Sequence, residues 1–167
     1  SDGRVAWTDN SVISINTGNK LVAGVEGRAN RYQIVCGLFA HELGHVLYTD
    51  FLIAGTYINN FTLKKWYPLK PKLRDTTEEL NEAELWEYAV ADEKNLLMLL
   101  QTAKQIQNIL EDGYVENRVL KKFPGTLGYG LETLRRLHFS QMETLTMAKE
   151  FETDGKRHIF QSIMQIM

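Results

Sequence analysis

The chain has only one cysteine, and this absence excludes several kinds of site. It has 167 residues, and its single cysteine is Cys36. An internal disulfide and a cysteine-rich zinc site are therefore excluded. At this length a core can form without such cross-links. Because Cys36 lies in the apolar run I-V-C-G-L-F, we interpret it as a small buried hydrophobic residue without a catalytic role.

The chain also lacks an excess of either charge and any long apolar segment. The formal net charge is −2, which indicates neither a nucleic-acid partner nor binding to an anionic membrane. No run approaches the roughly 18 apolar residues that a membrane-spanning helix needs. The opening S-D-G-R-V-A-W-T-D-N does not have the pattern of a signal peptide, which, with the lack of disulfides, favours the cytoplasm. Since it also lacks an initiator methionine, we expect residues 1–167 to be a single domain of a longer protein.

Hydrophobic periodicity predicts a mainly helical chain with a small β element at its beginning. The segment V-A-W-T-D-N-S-V-I-S-I-N predicts two short strands around a turn at residues 9–11. A loop follows over residues 17–30, with room for a short helical turn. Helices are predicted over residues 31–48, 52–61, 76–100, 102–121, 131–149 and 156–167, with loops at 68–71 and in F-P-G-T-L-G-Y-G. The predicted fold class is therefore α+β, mainly α.

The helix over residues 31–48 is predicted to be the central one. Its apolar residues recur at spacings of three and four over much of the circumference, which indicates burial. Gly37 and Gly44 lower its helix propensity. We therefore expect them to allow another backbone to approach closely.

The same helix carries the segment H-E-L-G-H. A spacing of four residues returns to nearly the same helix face, so His41 and His45 can reach one ion. Zn²⁺ accepts neutral imidazole nitrogens, and Glu42 projects to one side, where it suits a base acting on a water held at the metal. A lone histidine on an apolar helix is usually a core residue. Two histidines at this spacing with an adjacent glutamate favour a metal site.

A catalytic zinc also needs a third protein ligand and an open position. The segment at residues 108–118, N-I-L-E-D-G-Y-V-E-N-R, holds the carboxylates Glu111, Asp112 and Glu116 beside an apolar helix face. Asp112 and Glu116 share a face, so one could bind the metal while the other orients a histidine. The alternative is a solvated acidic edge in which Glu111 pairs with Arg118. Spacing leaves the three carboxylates open and slightly favours the pair.

These segments resemble zincin metallopeptidases. H-E-L-G-H resembles the zincin motif, and the acidic helix resembles the second motif of gluzincins, in which a glutamate on a later helix is the third ligand. T-D-N-S-V-I-S-I-N resembles the edge strand that binds extended peptide beside the metal in such folds. The longer pattern, Y-Q-I-V-C-G-L-F-A-H-E-L-G-H-V-L-Y-T-D and then N-I-L-E-D-G-Y-V-E, is similar to metallopeptidase-like domains that precede von Willebrand-type domains in some bacterial and phage proteins. It is also similar to parts of cobalt-chelatase-associated proteins.

The resemblance implies a zincin-like domain with Zn²⁺ as its cofactor and His41 and His45 as ligands. An L-E-x-x-x-[IV]-E pattern recurs in the similar proteins, and it directs the choice of third ligand to Glu111, with Asp112 and Glu116 as alternates. A gluzincin carries an orienting aspartate where this chain has a valine, so the orienting residue is unassigned. A peptide or protein substrate is implied, and so is a downstream domain of the same chain as a partner.

The predicted activity is zinc-dependent peptide-bond hydrolysis with Glu42 as the general base. Tyr114, Tyr129 and His138 are candidates for the further donor that the developing oxyanion needs. The alternative is a zinc-stabilised pseudo-enzyme or a module that binds a partner by strand addition at residues 5–16. A third hypothesis is a zinc hydrolase that does not act on peptides. Glu42 argues against a pseudo-enzyme, because a structural zinc site needs no base and prefers four closed ligands.

Overall fold

A computed structural model describes residues 3–65 and 72–142. This part of the chain is mostly helical and has one small antiparallel sheet, which confirms the predicted α+β, mainly α, fold class. In chain order the elements are β1 (Ala6–Thr8), β2 (Ile13–Ile15), α1 (Lys20–Ala23), α2 (Arg28–Tyr48), α3 (Phe51–Thr62), α4 (Thr76–Ala91), α5 (Glu93–Lys122) and α6 (Thr126–Gln141). The loop predicted at 68–71, the helix at 156–167 and the end of the helix over 131–149 lie outside the described residues. Among the described helices, none combines the length and apolarity needed to cross a membrane.

The chain forms two compact units. Unit 1 comprises Ser1–Thr49 and Ile109–Met167, and unit 2 is the intervening segment, residues 50–108. In unit 2 the buried ring of Phe61 lies 6.1 Å from the ring of Trp86, measured between centroids. All the candidate residues of the predicted metal site belong to unit 1.

The predicted β-hairpin is confirmed. β1 and β2 pair antiparallel, with Trp7 opposite Ser14. In the turn between them, the Asp9 carboxylate accepts the backbone N–H groups of Ser11 and Val12 at 2.9 and 2.7 Å. These bonds satisfy donors that the strands leave unpaired, as Asp side chains commonly do in turns.

The predicted central helix is also confirmed, and it packs on two sides. α2 begins at Arg28, three residues earlier than predicted, directly after Gly27 at φ 82°. One side packs Ile34 and Leu38 against Val22 and Leu134, and the other packs Ala40 against Val119 and Leu131. Cys36 is free and half-buried.

The start predicted for the last described helix is wrong. α6 begins at Thr126, inside the glycine-rich stretch predicted as a loop. A Cβ added to Gly37 would lie 2.4 Å from the carbonyl oxygen of Gly130, and one added to Gly130 would lie 2.7 Å from the backbone nitrogen of Gly37. α2 and α6 therefore touch backbone to backbone. This packing outweighs the low helix propensity of the glycines.

The predicted break near residues 100–103 is wrong as well. α4 ends at Ala91, and α5 continues without interruption from Glu93 to Lys122. Asp92 is extended, at φ −148° and ψ 141°, and its carboxylate accepts the backbone N–H of Lys94 at 3.0 Å. Asp75 caps α4 by accepting the backbone N–H of Glu78 at 2.9 Å. In both places an aspartate satisfies a free N–H at a helix start.

The contact between the two helix backbones should be intolerant of a single methyl group. We expect Gly37→Ala to lower the free energy of unfolding by about 3 kcal/mol, because the added Cβ overlaps backbone atoms that cannot move aside. Gly113→Ala is the matched control, since its Cβ would meet nothing within 4 Å. We expect the control to stabilise α5 by up to about 1 kcal/mol. Urea unfolding measures both changes, and equal stabilities of the two variants would contradict the prediction.

Candidate metal centre

Three side chains from two helices converge on one point of unit 1. The Nε2 atoms of His41 and His45 on α2 lie 3.3 Å apart. Asp112 on α5 brings Oδ1 to 3.2 Å from the Nε2 of His45 and 3.9 Å from that of His41. Tetrahedral ligands at about 2.0–2.1 Å from zinc lie roughly 3.3 Å from one another. Two of the three distances match this spacing and the third is longer, so two imidazole nitrogens and a carboxylate oxygen are placed where they could hold a metal ion.

The approach of α5 to α2 follows from a glycine between the two histidines. Because Gly44 has no side chain, the side chains of Val115 and Val119 pack close to it, at 3.2 Å from the place its Cβ would occupy. Both valines are fully buried. Asp112 and Glu116 lie three residues before them, so the packed face of α5 turns both carboxylates towards the histidines.

Glu116 orients His41. Its Oε1 lies 2.8 Å from the Nδ1 of His41, and its Oε2 accepts from the Nε of Arg135 on α6. The Glu116 side chain is only 13% exposed, so this carboxylate has a cationic partner where few waters reach it. Because Glu116 contacts Nδ1, the Nε2 of His41 is left to face the Nε2 of His45 and the Oδ1 of Asp112.

The contact between His41 and Glu116 shifts both pKa values. Burial lowers the pKa of His41, but the Glu116 hydrogen bond and the Asp112 charge outweigh it and hold this pKa above its ordinary value. Burial raises the pKa of Glu116, but the His41 hydrogen bond and the Arg135 charge hold this pKa below its ordinary value. In the metal-free protein the two groups therefore favour each other's charged form.

Glu111 is not one of the three side chains that converge on this point. Its Oε1 accepts the hydroxyl of Thr49 at 2.7 Å, and the Thr49 Oγ1 lies 2.9 Å from the Nδ1 of His45. The carboxylate chosen from the family resemblance thus reaches His45 through a hydroxyl. The alternate Asp112 is the carboxylate beside both histidine Nε2 atoms, and the alternate Glu116 bonds to His41.

Glu42 is the buried carboxylate of the site, with 8% of its surface exposed. Burial raises its pKa, while the two histidines act in the opposite direction. It lines a cavity of about 310 Å³ together with Val5, Ala6, Leu21, Leu38, His41, Asp112, Glu116, Leu134, Arg135, His138 and Arg4. Of the three predicted oxyanion donors, His138 lines this cavity, whereas Tyr114 and Tyr129 do not.

Sequence reasoning missed two residues of the site, Thr49 and Arg135. Thr49 follows His45 by four residues, so the helical spacing that paired the histidines could also have found the hydroxyl. Arg135 carries no such local signal. It reaches Glu116 only because α6 packs on α2.

Comparison with known proteins gives no relative from which the site could be interpreted. No known family model, curated protein or solved structure matches the chain significantly. The resemblance to zincins therefore remains a prediction.

The pair of His41 and Glu116 should make the stability of the metal-free protein depend on pH. The raised pKa of His41 contributes stability below its ordinary value of 6.5, and this is lost as pH rises through the folded pKa. The lowered pKa of Glu116 contributes stability above 4.5, and this is lost as pH falls through the folded pKa. The pair therefore stabilises the fold most between pH 4.5 and 6.5.

We expect Glu116→Gln to lower the free energy of unfolding by about 2 kcal/mol at pH 5.5, as measured by urea unfolding with a chelator present. At pH 9 we expect a smaller loss, because a smaller fraction of His41 is then protonated and the Arg135 charge remains to favour the carboxylate. Glu132→Gln, on the exposed face of α6, is the control. An equal loss at the two pH values would contradict this prediction.

Proposed function

We propose that the chain is a zinc-dependent hydrolase of peptide bonds, with His41, His45 and Asp112 as metal ligands and Glu42 as general base. The observation that carries the proposal is the convergence of two imidazole Nε2 atoms and one carboxylate oxygen within 4.8 Å of one another. Three ligands leave a fourth position open, as catalytic zinc sites do. A bound Zn²⁺ would act as a Lewis acid and would lower the pKa of a water in that position.

The role of Glu42 follows from its place beside the ligands. It neighbours His41 on α2 and lines the same cavity as His41 and Asp112. Burying a carboxylate is unfavourable in free energy, and a purely structural zinc site would gain nothing from it. As general base, Glu42 accepts a proton from water and delivers it to the amine nitrogen of the leaving peptide.

A peptide substrate is supported by the strand beside the cavity. Val5, just before β1, and Ala6, the first residue of β1, line the cavity with Glu42. β1 pairs with β2 along one edge, and within residues 3–65 and 72–142 no other strand pairs with it. An extended peptide can add to such an edge through its backbone. Of these two residues beside the cavity, only Ala6 belongs to β1, whereas the resemblance drew on residues 8–16, which cover the end of β1, the turn and β2.

His138 is the donor that best fits the developing oxyanion. It lies one helical turn beyond Arg135 on α6 and lines the same cavity as Glu42 and Asp112. An imidazole N–H at such a place would stabilise negative charge on the carbonyl oxygen of the substrate.

Glu42→Gln tests the proposed activity. We expect about one zinc per chain in both the parent and the variant, because Glu42 is not a ligand. We expect cleavage of a peptide library, followed by mass spectrometry, to fall at least about 100-fold in the variant, because water loses its base. Glu132→Gln should leave cleavage unchanged. A parent protein that takes up no zinc under metal-replete conditions would sink the proposal. Bound zinc without cleavage of any peptide would favour the interaction module.

Asp112→Asn tests the proposed third ligand. The amide keeps the size of the side chain but removes the charge that a metal ligand supplies. We expect zinc affinity, measured by competition with a chelating dye, to fall roughly 100-fold or more. Glu132→Gln is again the control for a lost carboxylate. Unchanged affinity of Asp112→Asn would remove Asp112 from the ligand set.

A further inference from the structure

Thr49 lies where it can decide which nitrogen of His45 carries the proton. It is the C-cap of α2, and its backbone N–H donates to the carbonyl oxygen of His45 at 3.0 Å. Its side-chain Oγ1 lies 2.9 Å from the Nδ1 of the same histidine. Two contacts thus join the same two residues, so the end of the helix itself fixes the hydroxyl beside the imidazole.

The direction of these hydrogen bonds follows from counting protons. A threonine hydroxyl has one proton, and Thr49 gives it to the Oε1 of Glu111 at 2.7 Å. An ionised carboxylate has no proton to return, so Thr49 can only accept from His45. The Nδ1 of His45 must then be the donor. A neutral imidazole with its proton on Nδ1 carries its free lone pair on Nε2.

That lone pair faces the other two side chains of the candidate metal site, His41 and Asp112. The Nε2 of His45 lies 3.3 Å from the Nε2 of His41 and 3.2 Å from the Oδ1 of Asp112. Asp112 alone would favour the opposite tautomer, because at this distance its carboxylate can accept a hydrogen bond from an N–H group at Nε2. The contacts of Thr49 oppose that preference. His45 is therefore held between two carboxylates of α5, of which one acts directly and the other through a hydroxyl.

We infer that Thr49 and Glu111 are positioning residues that keep the proton of His45 on Nδ1 and its Nε2 free to bind a metal. Glu111 acts through Thr49, in the way that Glu116 acts directly on His41. The part of the inference that concerns metal affinity rests on the proposed function. The part that concerns the tautomer applies to the metal-free protein as well.

The tautomer is measured first. In chelator-treated protein at alkaline pH, ¹⁵N NMR of the histidine rings distinguishes a proton on Nδ1 from one on Nε2. We expect Nδ1 in the parent and in Thr49→Ser, which keeps the hydroxyl. In Thr49→Val we expect the proton on Nε2, towards Asp112, because valine offers no acceptor. Finding the Nε2 tautomer in the metal-free parent would overturn the inference.

Zinc affinity is measured next, by competition with a chelating dye. We expect Thr49→Val and Glu111→Gln to weaken binding roughly 10–100-fold, as loss of a partner that orients a ligand commonly does. The glutamine amide can donate to Thr49, which frees the hydroxyl to donate to the histidine. Thr49→Ser should stay within about threefold of the parent.

Thr133→Val and Glu132→Gln are the matched controls on α6. The first also removes a threonine hydroxyl bond, from Thr133 to the carbonyl oxygen of Tyr129 at 2.8 Å. Both should leave zinc affinity and the His45 tautomer unchanged. Circular dichroism checks that each variant folds, and Glu111→Gln carries the test if Thr49→Val does not fold.

The outcomes separate the two claims. A parent that binds no zinc refutes the proposed function, and the tautomer measurement still decides the inference. A parent that binds zinc no better than Thr49→Val and Glu111→Gln overturns the inference and leaves the metal site standing. Equal losses in Thr49→Ser and Thr49→Val would also overturn it, since a hydroxyl would then not be what matters.

Discussion

Backbone contact between α2 and α6 at Gly37 and Gly130 sets the geometry on which the candidate site depends. Two helices that meet at glycines can approach each other more closely than helices separated by bulky side chains. At this separation Arg135, little more than one turn beyond Gly130, reaches a carboxylate of a third helix. That carboxylate belongs to Glu116, and it bonds the first histidine of H-E-L-G-H. The glycines are thus a requirement of the site as well as of the core.

Three carboxylates of one helix have three different environments. Asp112 stands beside both histidine Nε2 atoms, Glu116 bonds an imidazole directly, and Glu111 bonds a hydroxyl. A buried or partly buried carboxylate is stable only when donors satisfy it. Glu116 and Glu111 each accept a hydrogen bond from another element, and Asp112 faces the two histidines, so all three carboxylates of the acidic helix have specific partners.

The sequence predicted what depends on local pattern. The hairpin, the central helix and the pairing of His41 with His45 follow from alternation, periodicity and a four-residue spacing. The start of α6 was missed because low propensity at its glycines is overridden by contacts with a distant helix. The break at Asp92 was missed because an N-cap aspartate looks like any acidic residue in a charged run.

The choice among the carboxylates could not be made from spacing alone. Residues 111, 112 and 116 all lie on the half of α5 that faces α2, and which oxygen points where depends on how the helix is rotated. That rotation is set by Val115 and Val119 packing on Gly44. A similarity between sequence patterns does not determine this rotation. The shared helix face of Asp112 and Glu116 did predict that one carboxylate would lie beside the Nε2 atoms and that the other would bond to a histidine.

The bond between Thr49 and Glu111 has a topological consequence. Thr49 is the last residue of unit 1 before the chain enters unit 2, and Glu111 follows just after the chain returns. The inserted segment therefore leaves and re-enters unit 1 at two points joined by a hydrogen bond of 2.7 Å. Insertions with neighbouring ends can vary in length without disturbing their host. Here, however, separating those ends would break the hydrogen bond between Thr49 and Glu111. Because Thr49 also contacts the Nδ1 of His45, the same change would disturb the imidazole.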